Sequence, residues 1–127
     1  MSFHTIIIVG NLGKDPVMRY ATNGNAVTEM NVASNRQYTD SAGQKVKETT
    51  WFKVSVWGKQ AESCNTYLKK GSSVLVEGEL RPDKETGNPK VFQKSDGSTG
   101  ASYEVTSKTV KFLNGKVESV EQEDFPF

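Results

Sequence analysis

Only one cysteine, Cys64, and one histidine, His4, occur among the 127 residues. A lone cysteine excludes any disulfide within the chain and fits a reducing compartment. One residue of each type also leaves no His/Cys ligand spacing, so no metal or other cofactor is expected. Cys64 has no partner histidine beside it in sequence and reads as a small core residue rather than a nucleophile. Neither a nucleophile–base pair nor a phosphate-cradling glycine loop is present, which argues against an enzyme. A hydrolytic alternative would have to use His4, Asp15, Glu77 and Glu79, the last two on one strand face; cleavage with and without Mg²⁺ decides it. No apolar run approaches the ~20 residues needed to span a bilayer, and no membrane partner is expected. The start, Met1-Ser2-Phe3-His4, enters an apolar strand without the charged region of a signal peptide, so a soluble intracellular protein is expected.

Charge of one sign is also scarce, with 16 basic against 15 acidic residues and a net of +1. That balance conceals a segregation. Residues 114–127 hold Lys116 against Glu118, Glu121, Glu123 and Asp124, a net of −3, leaving 15 basic and 11 acidic residues, a net of +4, in the rest. A basic body with an acidic end points to a polyanionic partner and a separate tail. At 14.0 kDa and 35% apolar residues, the chain suits a single small barrel or sandwich.

Both tryptophans fall in one stretch, Trp51-Phe52-Lys53-Val54-Ser55-Val56-Trp57. Side chains along a strand alternate between faces. Phe52, Val54 and Val56 therefore form a core row, while Trp51, Lys53, Ser55 and Trp57 form the opposite face. Exposed rings interleaved with cations are the equipment for single-stranded nucleic acid, with bases stacking on rings and phosphates pairing with lysines. The competing reading is a second core or subunit contact, with Lys53 snorkelling to its edge.

The rest of the chain reads as strands broken by turns. Phe3–Val9 is a strand apolar on both faces, and Gly10–Pro16 is a turn. The strand resumes at Val17–Tyr20, and Asn23-Gly24-Asn25 is a hairpin signal. Ala26–Tyr38 and Val46–Gly58 form a second and third strand, far longer than the usual ~5–6 residues, and should project as an arm carrying Arg36, Tyr38, Lys45 and Lys47. Ala61, Cys64 and Leu68 mark a short helix over 59–70, closed by Lys69, Lys70 and Gly71. Val74–Leu80 is a fourth strand and Tyr103–Leu113 a fifth. Between them the turn signals at 85–89 and 95–98 bracket Lys90-Val91-Phe92-Gln93-Lys94, a mobile segment with a ring between two lysines. The expected fold is all-β: a five-stranded OB-fold barrel over residues 1–113, with one short helix between strands three and four and long protruding hairpins. Such barrels bind oligonucleotides on the strand 2–3 face and in the loops.

Several segments together resemble the bacterial and organellar single-stranded DNA-binding proteins over nearly the whole chain. They are Ile8-Val9-Gly10-Asn11-Leu12-Gly13-Lys14-Asp15-Pro16, Arg19-Tyr20 with Asn23-Gly24, Thr50 to Val54, Trp57 to Glu62, Tyr67 to Ser72 and Val76 to Arg81. The resemblance implies an OB-fold, a homotetramer and no catalytic activity. It also implies sequence-independent binding and protection of single-stranded DNA in replication, recombination and repair, in the cytoplasm at the nucleoid ahead of an organellar matrix. Its stacking rings fall on Trp51, Trp57, Tyr38 and Phe92, with Tyr38 and Phe92 standing where tryptophan is frequent. Lys53, Arg36, Lys45, Lys47, Lys90 and Lys94 are the candidate phosphate contacts. Residues 114–127 resemble the family's acidic tail, in which Asp124, Phe125, Pro126 and Phe127 would recruit replication and repair proteins. Here only Asn114 to Gln122 separates barrel from tip, a reach of at most ~30 Å where the family usually has a long linker. RNA binding, or a protein-binding adaptor on the same barrel, are the alternatives that competition between poly-dT and poly-U separates.

Overall fold

Residues 2–113, which the computed structural model describes, form seven strands and one helix. In order they are β1 (Ile6–Leu12), β2 (Val17–Tyr20), β3 (Ala26–Thr39), β4 (Lys45–Trp57), α1 (Lys59–Tyr67), β5 (Ser73–Leu80), β6 (Lys90–Gln93) and β7 (Thr99–Leu113). The acidic end, with Asp124, Phe125, Pro126 and Phe127, lies outside the described residues. Five strands run β1-β5-β7-β4-β3, and a further pairing of β1 with β3 closes them into a barrel. All neighbours are antiparallel except β4 and β7. The five-stranded barrel with one helix is thus the expected architecture, with β2 and β6 added at its margins.

Alternation decides which side chains fill the barrel. Met30 and Val32 of β3, Val54 and Val56 of β4, Val74 and Val76 of β5, and Val105 of β7 are each 1% exposed or less. All of these but Met30 are valines, and β-branched side chains suit a pleated, two-sided strand. Helix α1 adds Ala61 and Cys64 to this interior, followed by Leu68. Thr28 Oγ1 donates to the Ala61 carbonyl at 2.6 Å, which ties the helix to β3. Burial pushes the Cys64 thiol up to about 11.

Three sequence expectations change in the structure. Gly10, expected in a turn, lies inside β1, because a Cβ there would run into the carbonyl oxygen of Ala33 where β1 meets β3. A bare Cα is needed for this approach, and glycine signals it as readily as a turn. The helix ends at Tyr67, not Lys70: Leu68 is extended, so Lys69 and Lys70 lie beyond the last turn. Asp15, which accepts from the Lys70 amide at 2.8 Å, and Asn11, which donates to the Gly71 carbonyl at 3.1 Å, secure the segment after the helix. Finally, Lys90–Gln93 is a paired strand rather than a mobile loop. Its register with β7, from Lys90↔Ser102 to Gln93↔Thr99, starts β7 at Thr99.

Candidate nucleic-acid interface

The outer face of β4 carries the candidate site. Trp51 and Trp57 are 53% and 43% exposed, whereas Val54 and Val56 between them are buried. Six residues along a strand separate the two indoles by ~20 Å. Lys45 and Lys47 share this side of the ribbon by alternation, farther out along the hairpin arm. The arm is a continuous antiparallel ladder from Val27↔Trp57 to Thr39↔Lys45.

Beside Trp51 lies an open groove of about 530 Å³, whose lining includes Trp51, Lys53, Lys90 and Phe92. These four come from two strands that only the tertiary fold brings together. β4 supplies the first two, and β6 delivers the others across β7, with Lys90 opposite Ser102 and Phe92 opposite Gly100. Glycines seat both rings. A Cβ at Gly13 would stand 2.5 Å from Cζ3 of Trp51, and one at Gly100 would stand 2.8 Å from Cζ of Phe92. Each ring thus rests on bare backbone while much of its surface stays exposed. Lys94 lies alongside, its Cε within 2.9 Å of the same Gly100 position.

The remaining candidates are not in the groove. Tyr38 and Arg36 fall on the opposite side of the hairpin ribbon from Lys45 and Lys47, since Tyr38 pairs with Val46 and Gln37 with Lys47. The Arg36 guanidinium stands 4.7 Å from the Tyr38 ring centroid, a cation–π contact. A hydrogen bond to the Glu48 carboxylate, with its negative charge, raises the Tyr38 pKa above the usual tyrosine value. Trp57 marks the far end of the β4 face, in register with Val27, which is 2% exposed.

Sequence reasoning missed the acidic members of this face. Glu29 lies 3.5 Å from Lys53 and 3.6 Å from Arg19, and Glu104 lies 3.3 Å from Lys90. Ser102 Oγ donates to Glu104 at 3.2 Å. Periodicity places Glu29 on an outer face, but nothing local in the sequence reveals that β7 delivers Glu104 beside Lys53.

Three of the four hydrolytic candidates, Asp15 among them, have structural partners instead. His4 Nε2 accepts from the Leu80 amide at 3.1 Å. Glu79 pairs with Lys108 at 3.2 Å, and this bonded ammonium holds its carboxyl below the usual range. Among the described residues, no group of three or more His, Cys, Asp or Glu is placed to hold a metal ion. Nor is any described helix long and apolar enough to cross a membrane.

Comparison with known proteins places these features in a context. Residues 3–113 match the model of the single-strand binding protein family. A single-stranded DNA-binding protein of Neisseria meningitidis serogroup A is 35% identical over 119 residues, covering 94% of this chain and 64% of the relative. One from Xanthomonas campestris is 38% identical over 113 residues, covering 89% and 62%. The chain therefore spans somewhat under two thirds of the length of these relatives. Among solved structures, a deletion mutant of the single-stranded DNA binding protein from Thermus aquaticus superposes with a TM-score of 0.67 at 28% identity, covering 89% of this chain and 51% of that one. A small single-stranded DNA-binding protein from Streptomyces coelicolor gives a TM-score of 0.72 at 21% identity, covering 91% and 99%, a likeness of fold.

Proposed function

Because the chain belongs to the single-strand binding protein family, we propose that it binds single-stranded DNA by stacking bases on exposed rings and pairing phosphates with lysines. The observation that carries this reading is the convergence of Trp51 and Phe92 with Lys53 and Lys90 on one open groove. Every base has a π-face, so stacking tolerates any sequence, while lysines follow the sugar–phosphate backbone. Lys45 and Lys47 extend the cationic track along the arm, and Trp57 offers a further platform at the other end of β4. Tyr38 and Arg36, on the reverse of the arm, give a strand a place to continue as it wraps over the edge.

The same reading extends to function in the cell. The protein covers and protects exposed strands during replication, recombination and repair, without a catalytic step of its own, in the cytoplasm at the nucleoid. It works as a homotetramer, supported by the exposed apolar face of β1. The acidic segment with Asp124, Phe125, Pro126 and Phe127 recruits partner proteins, supported by its segregation of charge and its rings.

Titration of tryptophan fluorescence with oligo-dT of graded length, at two salt concentrations, tests the proposal. Affinity should rise with length and fall with salt, and duplex DNA should compete poorly. Absence of oligo-dT binding at low salt overturns the reading. Competition by poly-U as strong as by poly-dT moves it to RNA.

A further inference from the structure

Five charged side chains on five neighbouring strands alternate in sign across the outer face. Arg19 of β2 pairs with Glu29 of β3, which also pairs with Lys53 of β4. Lys53 stands in register with Glu104 of β7, and Glu104 pairs with Lys90 of β6. The line crosses the sheet diagonally between the rows that hold Trp57 and Trp51. The two carboxylate side chains are 30% and 24% exposed, the two lysines 48% and 47%, so the anions lie deeper than the cations they hold. Ser102 donates to Glu104 from its own strand, which anchors that carboxylate when Lys90 moves.

We propose that Glu29 and Glu104 are exchange partners for Lys53 and Lys90: they hold the groove's cations while it is empty and take them back as a strand leaves, keeping binding reversible and its salt dependence shallow. The inference rests on the single-strand reading above and adds two residues to it. An incoming phosphate has to draw each lysine from a carboxylate, so part of the charge gain is offset by a broken ion pair. Ion pairs this exposed are weak and salt-screened, so the exchange is easy in either direction. A departing phosphate likewise leaves the lysine a partner within 3.5 Å rather than a bare site. Salt loosens the internal pairs as well as the external ones, and the two effects oppose each other in the slope of log K against log salt.

Glu104→Gln and Glu29→Gln, singly and together, test this by stopped-flow binding and release of oligo-dT over a range of salt. Glutamine keeps the shape, and Glu62→Gln on α1 controls for the change in net charge. Each groove variant should bind about 1.5- to 5-fold more tightly at low salt, with the gain in slower dissociation. Its salt slope should steepen by up to about 0.7 per carboxylate removed. Unchanged dissociation and slope, with the wild type binding normally, overturn the exchange role alone. So does a gain confined to the association rate, which would mark both carboxylates as mere repulsive charges. A wild type that fails to bind oligo-dT overturns the underlying reading instead.

Discussion

At the scale of single residues, burial separates the side chains that hold the barrel from those on the proposed binding face. Trp51→Ala and Trp57→Ala should each weaken single-strand binding by ~1–3 kcal/mol, the usual worth of base–aromatic stacking, with little change in melting because both rings are exposed. Met30→Ala is the opposite case. That side chain is 1% exposed in the core, so its loss should destabilise by ~2–5 kcal/mol and leave the affinity of the folded fraction unchanged. Parallel titrations and melts read both outcomes, and tryptophan variants that unfold would invert the assignment of faces. The two faces of β4 were legible because Phe52, Val54 and Val56 alternate strictly with Trp51, Lys53 and Trp57. Glu104 was not, since its neighbourhood depends on a pairing between residues some fifty positions apart.

Cys64 gives a prediction in pH. Its folded pKa of about 11 lies above the ordinary thiol value of 9.0, because burial disfavours the thiolate. The neutral thiol's contribution to stability is therefore complete below pH 9 and is lost as pH rises towards about 11. Cys64→Ala should flatten that alkaline loss in denaturant melts. In the wild type a soluble thiol reagent should react only after unfolding; rapid labelling of the folded protein would contradict its place in the core.

At the scale of elements, β6 is the least anchored strand, pairing only with β7 and exposed at every residue. It carries Lys90 and Phe92 over the groove. Gly100→Pro removes a backbone donor opposite Phe92 and disfavours the ladder. Binding should then fall about as far as in Phe92→Ala, ~1–3 kcal/mol, while the barrel's melting barely moves; a large drop in melting would show that β6 supports the core. β6 was hard to read because Lys90-Val91-Phe92-Gln93 has no buried face to impose a period. The hairpin of β3 and β4 was easy by comparison. Its length, polar turn and alternation all pointed the same way, and its ladder runs unbroken. The helix was read a few residues too long because Leu68 keeps the apolar spacing after the backbone has become extended.

At the scale of the whole molecule, an apolar strip remains outside the barrel. Ile7 is 62% exposed, and along the same face Val9 pairs with Leu75. Covering such a strip with a second copy gives the two-faced β1 strand a use, and light scattering should find an oligomer, with a tetramer expected. Ile7→Lys should shift it towards smaller species without unfolding the barrel. A wild type that is monomeric at micromolar concentration would leave the strip without this role.

The barrel's closure has a kinetic consequence. The β3–β4 ladder joins residues across a short turn, whereas the seam that shuts the cylinder consists of Asn11↔Ala33 and Leu12↔Val32, with the Gly13 amide bonded to the Asn31 carbonyl at 2.9 Å. Local pairs form early, and contacts that close long loops wait for them. The hairpin should therefore fold first, and the seam, only two register pairs long, should be the first part of the cylinder to breathe in the native state. Because Gly13 also seats the Trp51 ring, a base stacked there would lie against the weakest line of the cylinder. Amide hydrogen exchange at Gly13 should accordingly slow on adding oligo-dT, while amides in the middle of β4, already locked on both sides, should scarcely respond.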